Sequence, residues 1–334
     1  MGHKIQTSAT VPTCPIQNVC DNFDKGTTEA YLIHCGEGVD DAARAEFDKV
    51  FACNSGCLQD VGTPNEPPPN YYPGVAITHG TAFTQVEYDK MYKWGVKLTW
   101  SPASNVALYG KTNDLDLAIA AGLTISLAPD WSMGGSDNML DELRFARSWA
   151  ASHYTNKLTA KDVIMMATVN AAAVLVQAND IGRLMPGFKA DLFVIEGDAT
   201  APYDAILSAT PREVRLVMVG GKVLYGDEQL RDAGPKLPGC ETLDVCGCSK
   251  FVCVAEPSQA KDDKLDQTLT EIENALTNAV LELDSVTPLP ASSCSPACKS
   301  HEDCYENTFT GSGTKCSPKC KHSFAPIAPL FTCQ

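Results

Sequence analysis

Val75-Ala76-Ile77-Thr78-His79-Gly80-Thr81 is a short β-prone run that ends in a histidine and then a glycine. The same grammar recurs at Ala30-Tyr31-Leu32-Ile33-His34 and at Thr124-Ile125-Ser126-Leu127-Ala128-Pro129-Asp130. Each run precedes a Gly, Ser or polar stretch that leads into a helical pattern. Strand, reactive residue, loop and helix in repeated order imply a parallel sheet, and a β/α barrel carries its reactive groups at those strand ends. His, His and Asp are also good zinc ligands. One histidine on an apolar strand is more often a core residue, and one aspartate after a strand is commonly a turn former. The reading rests on their joint position.

The intervening stretches fit helices. Val39 to Phe51 places Val39, Ala42, Ala43, Phe47 and Val50 at helical spacing. A Gly-, Pro- and Asn-rich loop covers Cys53 to Pro73, and a helix is expected from about Gln85 to Trp94, stopping at Gly95. Val96 to Trp100 reads as a strand that ends in the turn Ser101-Pro102-Ala103-Ser104-Asn105. Short and long helices follow at Leu115–Ala121 and Asp137–His153. These make four βα units, about half of a barrel that takes ~250 residues. One helix is expected over Ala160–Val176 with Thr159 as N-cap, then strands at Ala190–Glu196, Glu213–Val219 and Lys222–Tyr225, the last two joined by a Gly220-Gly221 hairpin turn.

Composition bounds the partners. A net charge of -15 argues against nucleic acid or an anionic membrane surface. No run of ~20 apolar residues is present, so no transmembrane segment is expected. Five of the fifteen cysteines precede residue 58 and ten lie from Cys240 onward. That density points to disulfides and to an extracellular, periplasmic or cell-surface setting, although the sequence has no signal peptide. Zinc competes as a reading of the tail, but spacings of C-x-C and C-x3-C favour bridges. The expected organisation is a partial barrel at 1–155, a linking helix and β-sandwich at 156–230, and a cysteine-rich extension at 231–334.

The motifs resemble the metal-dependent amidohydrolase superfamily, in its deaminase and chlorohydrolase-like branch. His34-Cys35-Gly36-Glu37 is similar to its strand-five His-x-x-Glu, and Thr78-His79-Gly80-Thr81 to its strand-six motif. Ser101-Pro102-Ala103-Ser104-Asn105 resembles its strand-seven turn, and Asp130 with the loop to Met139 its strand-eight aspartate. Thr168-Val169-Asn170-Ala171-Ala172, Ile181-Gly182-Arg183-Leu184 and Gly187-Phe188-Lys189-Ala190-Asp191-Leu192 resemble its passage from barrel to sandwich. The resemblance implies the C-terminal portion of such an enzyme: an α/β chain holding strands five to eight of a TIM-like (β/α)8 barrel, a small β-sandwich and a disulfide-rich tail. It also implies hydrolysis of C–N or related bonds by a metal-activated water. His34, His79 and Asp130 would hold a divalent ion, zinc foremost with iron or manganese as alternatives. Asp130 and Glu37 would move protons, Asn105 and Trp131 would line the pocket, and the substrate would be a small heterocycle or amide.

The family's strand-one His-x-His, which supplies two further ligands, has no counterpart among these 334 residues. The remaining histidines are His3, His153, His301 and His322. The expectation is therefore that the metal can be lost in this chain, and that the sequence is truncated at its N-terminus. A missing N-terminal half, or self-association of two copies, would complete the barrel. The competing reading is a non-catalytic remnant whose stapled tail acts as a binding or structural module.

Overall fold

The structure, a computed structural model, describes residues 5–8, 15–51, 74–131, 134–155, 158–245, 247–257 and 266–286. The loop expected at 53–73, His3, His301, His322 and most of the cysteines, including all six from Cys294 onward, lie outside them. The chain divides into two compact units, Met1–Phe188 with Asp198–Ser208, and Lys189–Gly197 with Ala209–Gln334.

The first unit runs β1 (Ile5–Ser8), α1 (Pro15–Asp24), β2 (Ala30–Cys35), α2 (Asp41–Phe51), β3 (Val75–His79), α3 (Gln85–Trp94), β4 (Lys97–Trp100), α4 (Pro102–Tyr109), α5 (Leu115–Ala120) and β5 (Ile125–Leu127). It closes with α6 (Met139–His153), α7 (Ala160–Ala167), α8 (Val169–Val174) and, after the first strand of the second unit, α9 (Pro202–Ser208). Its five strands are parallel and lie in sequence order, β1-β2-β3-β4-β5. Sequential order without a switch point is the topology of a barrel wall and differs from a doubly wound sheet.

Strand alternation sorts the side chains. Tyr31, Ile33 and Cys35 of β2 are fully buried, as are Leu98 and Trp100 of β4, and they pack with Phe47, Tyr88 and Met91 of the helix layer. Burying each such side chain contributes ~1.5–3 kcal/mol. His34 falls between the buried residues of β2, on the opposite face. Local signals end the helices where the sequence indicates. Gly95 adopts φ 64 at the end of α3, Thr159 and Asp162 form a capping box on α7, and Asn138 caps α6.

The expected arrangement, a C-terminal half-barrel of four strands followed by a sandwich, is corrected by this order. The barrel-like strands occupy the N-terminal part of the chain, and they number five. The strand that sequence reading missed is β1, whose four residues carry too little alternation to announce it. Its pairing makes it a strand: Ile5 to Ser8 lie opposite Ala30 to Ile33, Gln6 accepts hydrogen bonds from Asn22 and Thr28, and Tyr31 donates to Ser8. The single helix expected over 160–176 is two, α7 and α8. They break at Thr168 (φ -124, ψ -88), whose hydroxyl donates back to the Ile164 carbonyl, a bond that bends helices.

The second unit holds β6 (Leu192–Ile195), β7 (Val214–Val219), β8 (Lys222–Asp227), β9 (Glu241–Val245), β10 (Cys248–Val252) and α10 (Leu269–Val286). Among the described residues these strands form one antiparallel sheet, ordered β6-β7-β8-β10-β9, in place of the expected sandwich. Gly220 and Gly221 turn β7 into β8 with φ 57 and 78, the left-handed pair a tight hairpin needs. Leu216, Val223, Leu237, Phe251 and Cys253 form the core, and a disulfide joins Cys240 to Cys253. Lys250 is fully buried and donates to the Arg212 and Val214 carbonyls and, at 2.5 Å, to Asp227.

Candidate metal centre

Three strand ends supply the site. His34 is the next-to-last residue of β2, His79 ends β3, and Asp130 lies just beyond β5. Gly36 lets the chain leave β2 tightly, at φ 69 and so close to Phe83 that a Cβ would sit 2.3 Å from the ring. The ligand atoms of His34, His79 and Asp130 all lie within 4.8 Å of one another. His34 Nδ1 is 3.3 Å from His79 Nε2, with the two rings edge-on at 79°. The three residues thus form a cluster able to hold a metal ion, against the expectation that this capacity is lost.

The surroundings of His34 favour its neutral form. Burial, and then the neighbouring His79, lower the pKa of His34, outweighing the pull of Asp130 and Glu37 in the other direction. His79 is fully buried, and its Nδ1 lies 2.9 Å from the Asn105 amide oxygen. Asn105 Nδ2 donates to Thr112 Oγ1 at 3.0 Å, and its amide oxygen faces His79. An amide oxygen only accepts, so Nδ1 of His79 carries the proton and Nε2 presents a lone pair to His34. Such a convergence of ring nitrogen and carboxylate oxygen suits a cation.

His79 also has an unusual backbone, φ 74, for a residue other than glycine. Asn113 Nδ2 donates to its carbonyl oxygen at 2.5 Å, and Tyr154 in turn donates to the Asn113 carbonyl at 2.6 Å.

Glu37 stands at the open side. Its Oε1 accepts a hydrogen bond of 3.1 Å from Tyr109, while its Oε2 lies 3.5 Å from His79 Nε2 and 4.0 Å from His34 Nδ1. Burial first, then Glu37, push the Tyr109 phenol up to about 12, so it remains a donor at neutral pH. Trp131 follows Asp130 with 60% of its surface exposed. Behind the site, the fully buried Glu142 accepts from the Ala103 amide at the start of α4, and burial raises its carboxyl to about 7.

Sequence reasoning did not find Tyr109, Thr112, Asn113 or Glu142. The first hides at the end of a helix that reads as a turn, because Ser, Asn and Pro dominate its start. Pro102 at the first helical position is the signal that was available.

Comparison with known proteins now bears on the strands and the cluster together. Residues 72–224 match the Amidohydrolase family. The match to the amidohydrolases covers His79, Asn105 and Asp130, while His34 and Glu37 lie before it. The chain is similar to the 5-methylthioadenosine/S-adenosylhomocysteine deaminase of Desulfitobacterium hafniense, 32% identical over 167 residues, covering 47% of this chain and 38% of that protein. It is also similar to the 5'-deoxyadenosine deaminase of Methanosarcina mazei, 27% identical over 192 residues, covering 54% and 42%. Among solved structures, the zinc-bound adenosine deaminase from Xanthomonas campestris aligns with a TM-score of 0.51 at 19% identity, over 62% of this chain and 47% of that one. Guanine deaminase of E. coli aligns with a TM-score of 0.52 at 18% identity, over 65% and 53%. The chain spans about two fifths of the length of the curated relatives it matches. The expected label of a C-terminal portion does not describe this chain's own layout, since its parallel strands come first and its antiparallel sheet last.

Proposed function

We propose that this chain carries the metal-binding and proton-handling half of a hydrolase that cleaves C–N bonds of small heterocycles, with deamination of an adenine-type ring as the leading reaction. The observation that carries this reading is the convergence of His34, His79 and Asp130 at the ends of β2, β3 and β5. Zinc is the favoured ion, with iron or manganese as alternatives, and the named deaminases among its relatives support the substrate class. When bound, a divalent ion makes a water molecule acidic enough to attack near neutral pH.

The residues divide the remaining work. His34 and His79 hold the ion through neutral nitrogens, and Asn105 keeps His79 in the tautomer that allows this. The Asp130 carboxylate would accept the attacking water's proton and release it to the leaving amine. Glu37, steadied by Tyr109, would give a proton to a ring nitrogen of the substrate. Trp131 offers an exposed indole against which a flat heterocycle can stack.

The purified chain should retain one zinc, iron or manganese ion per molecule, measured by elemental analysis. Asp130→Asn should lower that content. A wild-type chain with no stoichiometric metal after growth and dialysis in zinc would overturn the reading. We further propose an oxidising compartment, a reading that the fifteen cysteines support.

A further inference from the structure

Two side chains of α4 reach the candidate site. Asn105, in the first half of the helix, meets His79 Nδ1 at 2.9 Å, and Tyr109, at its end, donates to Glu37 at 3.1 Å. Where α4 begins therefore decides where both arrive. A helix start leaves backbone N–H groups without intrahelical partners, and the N-cap side chain usually takes one. α4 departs from that habit. Its N-cap, Ser101, makes no side-chain bond to the helix start, and the Ser101 hydroxyl is buried without a hydrogen-bond partner. Pro102, next in line, has no N–H to satisfy.

The Ala103 amide donates instead to Glu142 Oε1 at 3.2 Å, a carboxylate that belongs to α6. Ala103 is buried and Glu142 fully so, which leaves water little access to replace the bond. Pushed up to about 7 by burial, the carboxyl offers that amide an acceptor oxygen whether or not it carries a proton. Gly135, in the loop between Asp130 and α6, presses on the same turn of α4, since a Cβ there would lie 3.1 Å from the Ser104 Cβ. The start of α4 is thus gripped by the stretch of chain that runs from Asp130 into α6.

We propose that Glu142 is a positioning residue of the candidate site, a cap lent by α6 that sets where α4 begins and so keeps Asn105 on His79. The proposal rests on the reading that His79 holds the ion, and Glu142 acts on that ion only through Asn105 and His79. Reach matters more than charge in this role. The side chain must span from α6 to the Ala103 amide and end in an acceptor.

Glu142→Gln, Glu142→Asp and Glu142→Leu separate the two. Glutamine keeps the length and an acceptor oxygen, aspartate keeps the carboxylate but falls one methylene short, and leucine keeps bulk without an acceptor. Nitrogen-15 shifts of the His79 ring, read in the zinc-free chain, report which nitrogen carries the proton. Glu142→Gln should reproduce the wild-type pattern, while Glu142→Asp and Glu142→Leu should move it toward mixed tautomers. Zinc affinity, measured by competition with a chromophoric chelator, should fall about tenfold in the last two and stay within about twofold of wild type in the first. A wild-type ring pattern in Glu142→Asp, or a shifted one in Glu142→Gln, overturns the inference, and this pair decides it even if Glu142→Leu fails to fold. A wild-type chain that binds no zinc overturns the reading of the metal centre, whereas the ring pattern of the zinc-free chain still decides what Glu142 does.

Discussion

The Asn113 amide nitrogen lies 2.5 Å from the carbonyl oxygen of His79, the residue that carries a left-handed φ of 74 in the candidate site. A side chain 34 positions later thus holds the backbone of His79 in a conformation it would not choose. Asn113→Ala removes that hold and leaves a buried carbonyl without its partner. The expected cost is ~1–3 kcal/mol of stability, with weaker zinc binding. Chemical denaturation and metal competition on the same sample check both, and a variant with wild-type values in each would show that the conformation is held elsewhere.

Asn105→Leu addresses the tautomer. Without an acceptor at Nδ1, His79 is free to move its proton to Nε2 and withdraw the lone pair that faces His34. Zinc affinity should drop about 10–100-fold. Nitrogen-15 shifts of the His79 ring report the proton's position directly, and an unchanged pattern in Asn105→Leu rules this role out.

Lys97 gives a pH-dependent expectation. Its ammonium nitrogen is buried without a hydrogen-bond partner, and burial lowers its pKa from the usual 10.5 to about 8. Between pH 8 and 10.5 the unfolded chain binds the proton that the folded chain has lost, so stability rises with pH across that window. Below pH 8 both states are charged and the folded state bears the full cost. Lys97→Met should therefore be more stable than wild type at pH 7, by at most about 3 kcal/mol, and the gap should close by pH 10.5. Denaturant melts at several pH values suffice, and a gap independent of pH rejects the assignment.

In the second unit, Lys250 and Arg215 share the carboxylate of Asp227. Lys250→Ala leaves that carboxylate short of a buried partner and should cost ~3–5 kcal/mol. Lys250→Met fills the space and should cost less only if Asp227 is replaced by Asn in the same chain. The double-mutant cycle measures the coupling, and additive effects would show that the pair does not interact.

His34, His79 and Asp130 were legible as a cluster because each ends a β-prone run and opens onto a loop, a pattern that composition and spacing both display. Gly95, Thr159 and the Gly220-Gly221 pair were legible because a left-handed turn or a helix cap admits few residue types. What lay hidden depended on partners distant in sequence. Asn105 reads as a pocket or turn residue, and its bond to His79 shows only in the fold, while Asn113 reads as loop. β1 becomes a strand only against β2. The break at Thr168 turns on one hydroxyl that bonds backward. The layout of the parallel strands was misjudged because β1 escaped notice and the later β segments were expected to form two layers.

The strand order of the antiparallel sheet carries a consequence for how the chain is assembled. β9 is made before β10 but hangs on the sheet only through it, since β10 lies between β8 and β9. During synthesis β9 therefore has no strand partner until β10 emerges. The Cys240–Cys253 bridge encloses this pair at a separation of 13 residues. It ties the residue before β9 to the residue after β10, so the two strands bear on the edge of β8 as one closed hairpin.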